Sequence, residues 1–538
     1  MTHDDGGPGQ LPGASARSGP TPGATADVPG HEPADVDRLR ADLDGWTVDA
    51  VHDLLGPVAQ EALAREQAVP AVRVVSGRVA EPFAALTAAF VLGRPVPRRA
   101  LAAALPRLGV DGAVRLGLLA AAGQGPDDDV RALVDLRPYG AVDAAGSADW
   151  WVVSDQGELA TGAPLRQDHV LGVGGASVTL ARCTVREPVG RVLDVGTGCG
   201  VQALHASRHA RAVVATDLSR RALAFARLTL ALNGVPLGDP RDGLGVELRR
   251  GDLLEPAAGE QFDLVVSNPP FVITPRVAGV PEYTYRDGGL AGDEVVRRLV
   301  TGVGRVLAPG GVAQLLGNWE DRTDASFADR VGGWLDESGL DGWVVQRELQ
   351  DPAQYAELWL RDGGDPEPGR RAALYEAWLD DFEARGVEAV GFGLVTLRRP
   401  VDGPPTLRRV EDLLGPLDSP VGEHVAACLR AHDWLMARDD EALLAARLRV
   451  AEDVTEERFH RPGEEDPTVV LLRQGGGFGR VVRADAALAG LVGACDGELP
   501  VGVIADAVAQ LLDEPPGELT GRLLPAVRGL VRDGLLLT

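Results

Sequence analysis

The feature that most constrains this chain is a run of short apolar strands alternating with amphipathic helices from about Gly162 onward. RVLDVG, AVVATD, VELRRGD, FDLVVSNPP and GVAQLLGNW each end near a polar residue or a glycine. The helical stretches VQALHASRHA, SRRALAFARLTLALNG and DEVVRRLVTGVGRVL fall between them. Apolar strands joined through helices bury well in a parallel sheet with helices on both sides. The pattern therefore predicts an α/β, Rossmann-like, doubly wound sheet. GWVVQREL and GFGLVTLRR supply two more strands, with a helical insert between them.

Texture changes divide the rest. Residues 1–34 are mostly small residues, Pro and Gly, too poor in large apolar side chains to offset their ordering entropy, and read as a disordered tail. Residues 35–160 carry i, i+3, i+4 apolar spacing and then two strands, DVRALVDLRPYGA and ADWWVVSD, which suggests a helical, winged-helix-like recognition domain. Residues 161–403 hold the sheet. Residues 404–538 return to helices around VVLLRQGGGFGRVVRA and suit a second winged-helix-like unit.

Composition sets the weight of each motif. The chain has 68 glycines, no lysine and three asparagines, Asn233, Asn268 and Asn318. Gly-rich strings therefore arise easily here, whereas a motif built on Asn is informative. The net charge of −26 disfavours a polyanionic partner, because duplex nucleic acid is held mainly through its phosphates, and moves the expected partner from nucleic acid toward protein. Cys183, Cys199, Cys428 and Cys495 form no C-x-x-C pair and read as reduced, buried thiols of a cytoplasmic protein. With no secretory leader and no apolar stretch of about 18 residues, no membrane association is expected.

At the first strand-to-helix junction stands Asp194-Val-Gly196-Thr197-Gly198-Cys-Gly200. Gly196 and Gly198 permit a sharp turn and close approach of a ligand. The spacing is G-x-G-x-G and fails the dinucleotide pattern G-x-G-x-x-G at Val201. Asp194 would repel a pyrophosphate but attract an ammonium or sulfonium, which favours S-adenosylmethionine over NAD. Asp217, closing the next strand, suits the ribose hydroxyls, although a helix N-cap is an alternative at such a position. Asp252 or the Leu253 amide, after the third strand, would lie beside the adenine, or the segment is an ordinary loop.

After the fourth strand comes Ser267-Asn268-Pro269-Pro270-Phe271. Consecutive prolines stiffen the turn and remove two donors, which leaves nearby carbonyls free to accept. The Asn268 oxygen and one such carbonyl can hold both protons of a planar –NH₂ group, and Phe271 offers it a flat face. Such a clamp works by positioning for in-line displacement.

Together DVGTGCG, Asp217, GDLLEP and SNPPFV resemble the class I S-adenosylmethionine-dependent N-methyltransferases. NPPFVITP with its following helix resembles the HemK/PrmC protein-glutamine methyltransferases and the small-domain rRNA guanine-N2 methyltransferases, over about residues 165–320. The resemblance implies a cofactor set of Asp194, Gly196, Thr197, Gly198, Gly200, Asp217, Leu218, Asp252, Leu253 and Asn268. It makes Asn268, Pro269, Pro270 and Phe271 the substrate clamp, with Asn268, Pro269 and Phe271 carrying the reaction. Phe271 replaces the Tyr usual in the glutamine enzymes, and residues beyond about 404 have no counterpart in them.

The expected activity is methyl transfer to a planar nitrogen, most plausibly a protein glutamine. The alternatives are an exocyclic amine of rRNA or DNA, or a non-catalytic sensor of the cofactor. Glu282, Asp287, Asp293 and Glu294 crowd the sequence past the motif and, as a rim, would disfavour RNA. His205 and His209 share a helix face, but no third ligand is apparent, so no metal is expected. Gly475–Gly479 reads as a hairpin loop.

Overall fold

The computed structural model describes residues 28–538 apart from 121–122, 144, 163–164, 239–244, 278–279, 281–282, 284–285, 363–367 and 418–419. The expected tail therefore lies outside the described residues up to position 27, and its last part is ordered. Helix α1 (Pro33–Asp42) starts on a proline, whose fixed φ suits the first helical position.

Short helices follow, and then the hairpin β1 (Val134–Asp143) and β2 (Gly146–Asp155). Helix α2 (Gly175–Cys183) leads into the alternating region: β3 (Val189–Val195), α3 (Val201–Ala206), β4 (Ala210–Asp217), α4 (Arg220–Leu232), β5 (Gly245–Arg250), β6 (Phe262–Ser267), α5 (Glu294–Gly302), β7 (Leu307–Arg322), α6 (Phe327–Ser338) and β8 (Asp341–Gln350). The insert forms α7 (Pro352–Asp362) and α8 (Pro368–Ala384), followed by β9 (Val387–Arg398) and β10 (Arg408–Asp412).

Eight strands form one sheet in the order β10-β8-β9-β7-β6-β3-β4-β5. All neighbours are parallel except β9, which runs antiparallel to both β7 and β8. The parallel, doubly wound reading thus holds for the half that carries the motifs, while the other half is mixed. Alternate residues of one strand serve opposite cores: Val192 packs with Phe225 and Leu204 on one face, and Leu193 with Val296 and Leu299 on the other.

The flanking units dock on this sheet. Arg40 of α1 donates from Nε to the Leu232 carbonyl at 2.8 Å, so a cation satisfies the orphan C-terminal carbonyls of α4. The hairpin also lies on α4. Asn233 accepts the Trp151 N–H at 3.0 Å and donates to its carbonyl at 2.7 Å, filling the place of a neighbouring strand. The hairpin packs on the sheet domain along this edge.

Beyond β10 come α9 (Gly422–Met436), the three-stranded antiparallel sheet β11 (Val454–Phe459), β12 (Val469–Gln474) and β13 (Val481–Ala484), and helices α10 (Ala486–Gly493), α11 (Val501–Leu512) and α12 (Pro516–Arg532). Gly475–Gly479 is the β12–β13 turn, and its Phe478 ring sits 5.3 Å from Trp343 of β8. Arg480 pairs with Glu411 at 2.6 Å and Arg409 with Asp533 at 2.7 Å, so charged groups of both units interlock at the β10 edge.

Candidate functional site

Strand order reverses between β3 and β6, because the chain leaves β3 toward β4 and β5 and then crosses back to β6 and β7. Loops diverge at such a switch point and open a crevice beyond the carboxyl ends of the strands. The Ser267 hydroxyl donates to the Val195 carbonyl at 2.8 Å, pinning the two strand ends together below the crevice. Both sequence motifs emerge here.

Gly196, Gly198 and Gly200 all have positive φ (76°, 56° and 87°), a conformation that disfavours other residues. Their surroundings differ. A Cβ on Gly200 would meet the Ala226 backbone at 3.1 Å, so this glycine permits α3 and α4 to pack closely. A Cβ on Gly198 would meet nothing within 4 Å, and one on Gly196 only the Asn268 carbonyl at 4.0 Å. The loop thus faces open space, with the Asn-Pro-Pro turn across from it. The N–H groups of Gly196 and Thr197 both donate to the Thr216 carbonyl at 2.9 Å, which ties the loop to the end of β4.

Asp194 is fully buried, with the Thr197 hydroxyl and the Ala203 N–H as the hydrogen-bonding groups nearest its carboxylate. Burial, with Asp217 nearby, pushes its pKa up to about 7. Asp217 accepts the Gly198 N–H at 3.0 Å and the Ser219 N–H at 2.8 Å, and burial also raises its pKa. It is not the N-cap of α4: Ser219 fills that position, its hydroxyl accepting from Ala222. The Asp217 carbonyl accepts the Gly251 N–H at 3.1 Å and so draws in the segment after β5. There Asp252 is exposed, Leu253 adopts a positive φ of 42°, and Leu218 is 57% exposed at the rim. A buried carboxylate beneath an open glycine turn, with an exposed apolar side chain at the rim, fits a ligand with a cationic group and a flat apolar end.

On the other side, the buried Asn268 Oδ1 has no hydrogen-bond partner. Phe271 is half-buried, with its ring 5.3 Å from that of Phe392 on β9. Behind it, the Ile273 N–H donates to the Tyr355 hydroxyl at 3.0 Å. Phe392 and Tyr355 were not among the sequence candidates. Both lie far along the chain, and only the placement of β9 and α7 beside the turn reveals them.

Among the described residues, the acids expected at the rim are buried or paired. Asp287 and Asp293 are buried: Asp287 pairs with Arg276 at 3.1 Å and accepts the Tyr283 N–H, while Asp293 pairs with Arg330 at 2.7 Å. Glu294 pairs with Arg297 and Arg298, and Glu282 lies outside the described residues. These acids hold the loop and α5 in place, so they do not discriminate against RNA.

His205 shares a hydrogen bond of 2.8 Å with the Tyr139 hydroxyl, and burial lowers its pKa to about 3. Among the described residues no group of three or more His, Cys, Asp or Glu is placed to hold a metal, and no helix is long and apolar enough to cross a membrane. All four cysteines are buried and free.

Residues 172–332 match the family model described as methyltransferase small domain. Residues 44–133 and 426–538 match two families described as domains of unknown function, DUF7059 and DUF7782. Among curated proteins, the ribosomal protein uL3 glutamine methyltransferase of Bradyrhizobium diazoefficiens is 32% identical over 198 residues, 34% of this chain and 59% of that protein. The release factor glutamine methyltransferase of Deinococcus radiodurans is 38% identical over 154 residues, 27% of this chain and 51% of that protein. The chain thus spans between half and three fifths of these relatives.

Proposed function

We propose that the HemK/PrmC-like class I methyltransferase domain of this chain makes it a cytoplasmic S-adenosylmethionine-dependent N-methyltransferase acting on a protein glutamine side chain. The observation that supports this reading is the buried, unpartnered Asn268 Oδ1 on a turn whose main-chain carbonyl lies across the β3–β6 junction from the open glycine turn at Gly196.

S-adenosylmethionine, when bound, supplies an electrophilic methyl on a sulfonium. Asp194 holds the amino group of its methionine end, and the turn at Gly196, Thr197 and Gly198 lets the chain approach it. Asp217 takes the ribose hydroxyls with the carboxylate lone pairs left by its two backbone donors. Leu218, Asp252 and the Leu253 amide border the adenine. Asn268 Oδ1 and the Pro269 carbonyl accept the two amide protons of the acceptor, Pro270 keeps the turn rigid, and Phe271 stacks on the amide plane. Orientation supplies most of the rate, as befits a site with no general base at the turn. A protein acceptor is supported by the relatives, whose printed substrates are ribosomal protein uL3 and a release factor. The flanking units are proposed to recognise the protein that bears the glutamine.

The test is transfer of label from S-[methyl-³H]adenosylmethionine to the lysate of a strain lacking the gene, followed by protease or nuclease. Label is expected to be lost to protease, and Asn268→Ala is expected to abolish transfer while keeping cofactor affinity within about twofold. Label lost only to nuclease would refute the glutamine reading and support the amine of a nucleobase. Unchanged cofactor affinity in Asp217→Ala would refute the assignment of the loop.

A further inference from the structure

Asn318 stands on β7 opposite Phe392 of β9 and is only 2% exposed. Its Nδ2 donates to the Tyr355 hydroxyl at 2.5 Å, the same oxygen that accepts the Ile273 N–H at 3.0 Å. Two donors converging on one oxygen set the Asn318 amide beside the backbone two residues past Phe271. Its neighbour across the ladder, Phe392, also touches the Phe271 ring. The amide is therefore fixed at the acceptor side of the crevice.

One half of that amide is unused: Asn318 Oδ1 is buried and has no hydrogen-bond partner. Buried polar atoms are nearly always paired, and a native exception calls for a specific explanation. The chain has three asparagines. Asn233 engages both ends of its amide in holding the hairpin. The other two, Asn268 and Asn318, each leave Oδ1 unpaired, one at the turn that Phe271 closes and the other beside the ring that Phe271 packs on. Tyr355 comes from α7, which connects β8 to β9 where a tight hairpin turn would suffice for two antiparallel neighbours.

We propose that Asn318 is a second acceptor-binding residue. Its Oδ1 accepts a main-chain N–H of the protein segment that carries the target amide, and Tyr355 is the positioning residue that holds it there. This rests on the amide-methylation reading above. Asn268 and the Pro269 carbonyl then read the side-chain –NH₂, while Asn318 reads the peptide beside it, so a free amide or a nucleobase would satisfy only the first.

The test uses the full chain with Asn318→Leu, Asn318→Asp and Tyr355→Phe. Initial rates of label transfer to the protein fraction of the gene-lacking lysate are taken at limiting protein, which reports kcat/KM, and at saturating protein, which reports kcat. Calorimetry gives the Kd for S-adenosylmethionine. Asn318→Leu is expected to lower kcat/KM about tenfold, mostly through KM, with cofactor Kd within about twofold. Asn318→Asp keeps an oxygen in place and retains more activity than Asn318→Leu. Tyr355→Phe shows a smaller rise in KM. The proposal is overturned if Asn318→Leu or Tyr355→Phe keeps the wild-type kcat/KM, or if kcat/KM and cofactor affinity fall together, as a merely structural role would require. If the wild-type chain labels only nucleic acid, the amide reading fails and this proposal with it. If the wild type labels protein and Asn318→Leu labels it as fast, only this proposal fails.

Discussion

Asp194 illustrates how a single residue sets function against stability. Its carboxyl titrates near 7 in the fold because burial disfavours the charge, whereas an unfolded aspartate titrates near 4. The native chain therefore holds a proton that the unfolded chain lacks between about pH 4 and 7, and stability from this group is full below about 4 and lost as pH rises through 7. Asp194→Asn is expected to raise the unfolding free energy at pH 8 by about 2–4 kcal/mol, to change little at pH 3.5, and to abolish cofactor binding. Denaturant titrations at the two pH values check the first part and calorimetry the last. In the wild-type chain, cofactor affinity should weaken by up to about tenfold per pH unit below 7, because only the ionised carboxylate pairs with a cation. A pH-independent affinity between 5 and 7 would remove Asp194 from the site. The residue itself was legible from its place at the end of a strand. Its raised pKa was not, because that depends on how completely the neighbouring loops close over it.

Among the elements, the strands could be placed from their apolar runs, and so could the order helix-then-hairpin at the N-terminal side. Strand direction was harder to read: β9 has the same apolar texture as the parallel strands of the sheet, yet it runs antiparallel to both of its neighbours. The acids after the turn misled because charge is visible in sequence and pairing is not. Asp293 finds Arg330 on a different helix, 37 residues on. The β1–β2 hairpin gives an element-level prediction. Asn233 supplies both hydrogen bonds that a third strand would give to Trp151, so Asn233→Ala leaves a half-buried donor and acceptor without their protein partner. A loss of about 1–3 kcal/mol in urea unfolding is expected, with faster amide exchange in β2 and unchanged exchange in β7. Equal protection of β2 in both proteins would refute this account of how the hairpin is held.

Over the whole molecule, one apolar core runs from the N-terminal helices through the sheet to α9 and Phe478, and specific polar contacts fix the C-terminal unit against it. The C-terminal unit reaches the sheet through Phe478 on Trp343, through the Arg480–Glu411 and Arg409–Asp533 pairs, and through the Val421 N–H donating to the Arg182 carbonyl at 2.9 Å. None of these partners was legible beforehand, since the glycine-rich turn that carries Phe478 looks locally like any hairpin loop. Phe478→Ala is expected to destabilise the chain by about 3 kcal/mol, with accelerated exchange in β10 and α9 and none in β3, β4 or β6. A loss of protection that spread evenly through the sheet would mean that the C-terminal unit is part of one cooperative core.

The long antiparallel ladder between β8 and β9 is closed by the α7–α8 insert, whose Tyr355, Trp378 and Phe382 pack on Val387 and Val390 at the start of β9 and leave the parallel half of the sheet untouched. The insert and the start of β9 can then diverge in evolution as one block, or be exchanged by grafting together, while the half that carries the glycine turn stays as it is. Change of acceptor in such a lineage would be a matter of recombination at one connection, with the chemistry inherited intact.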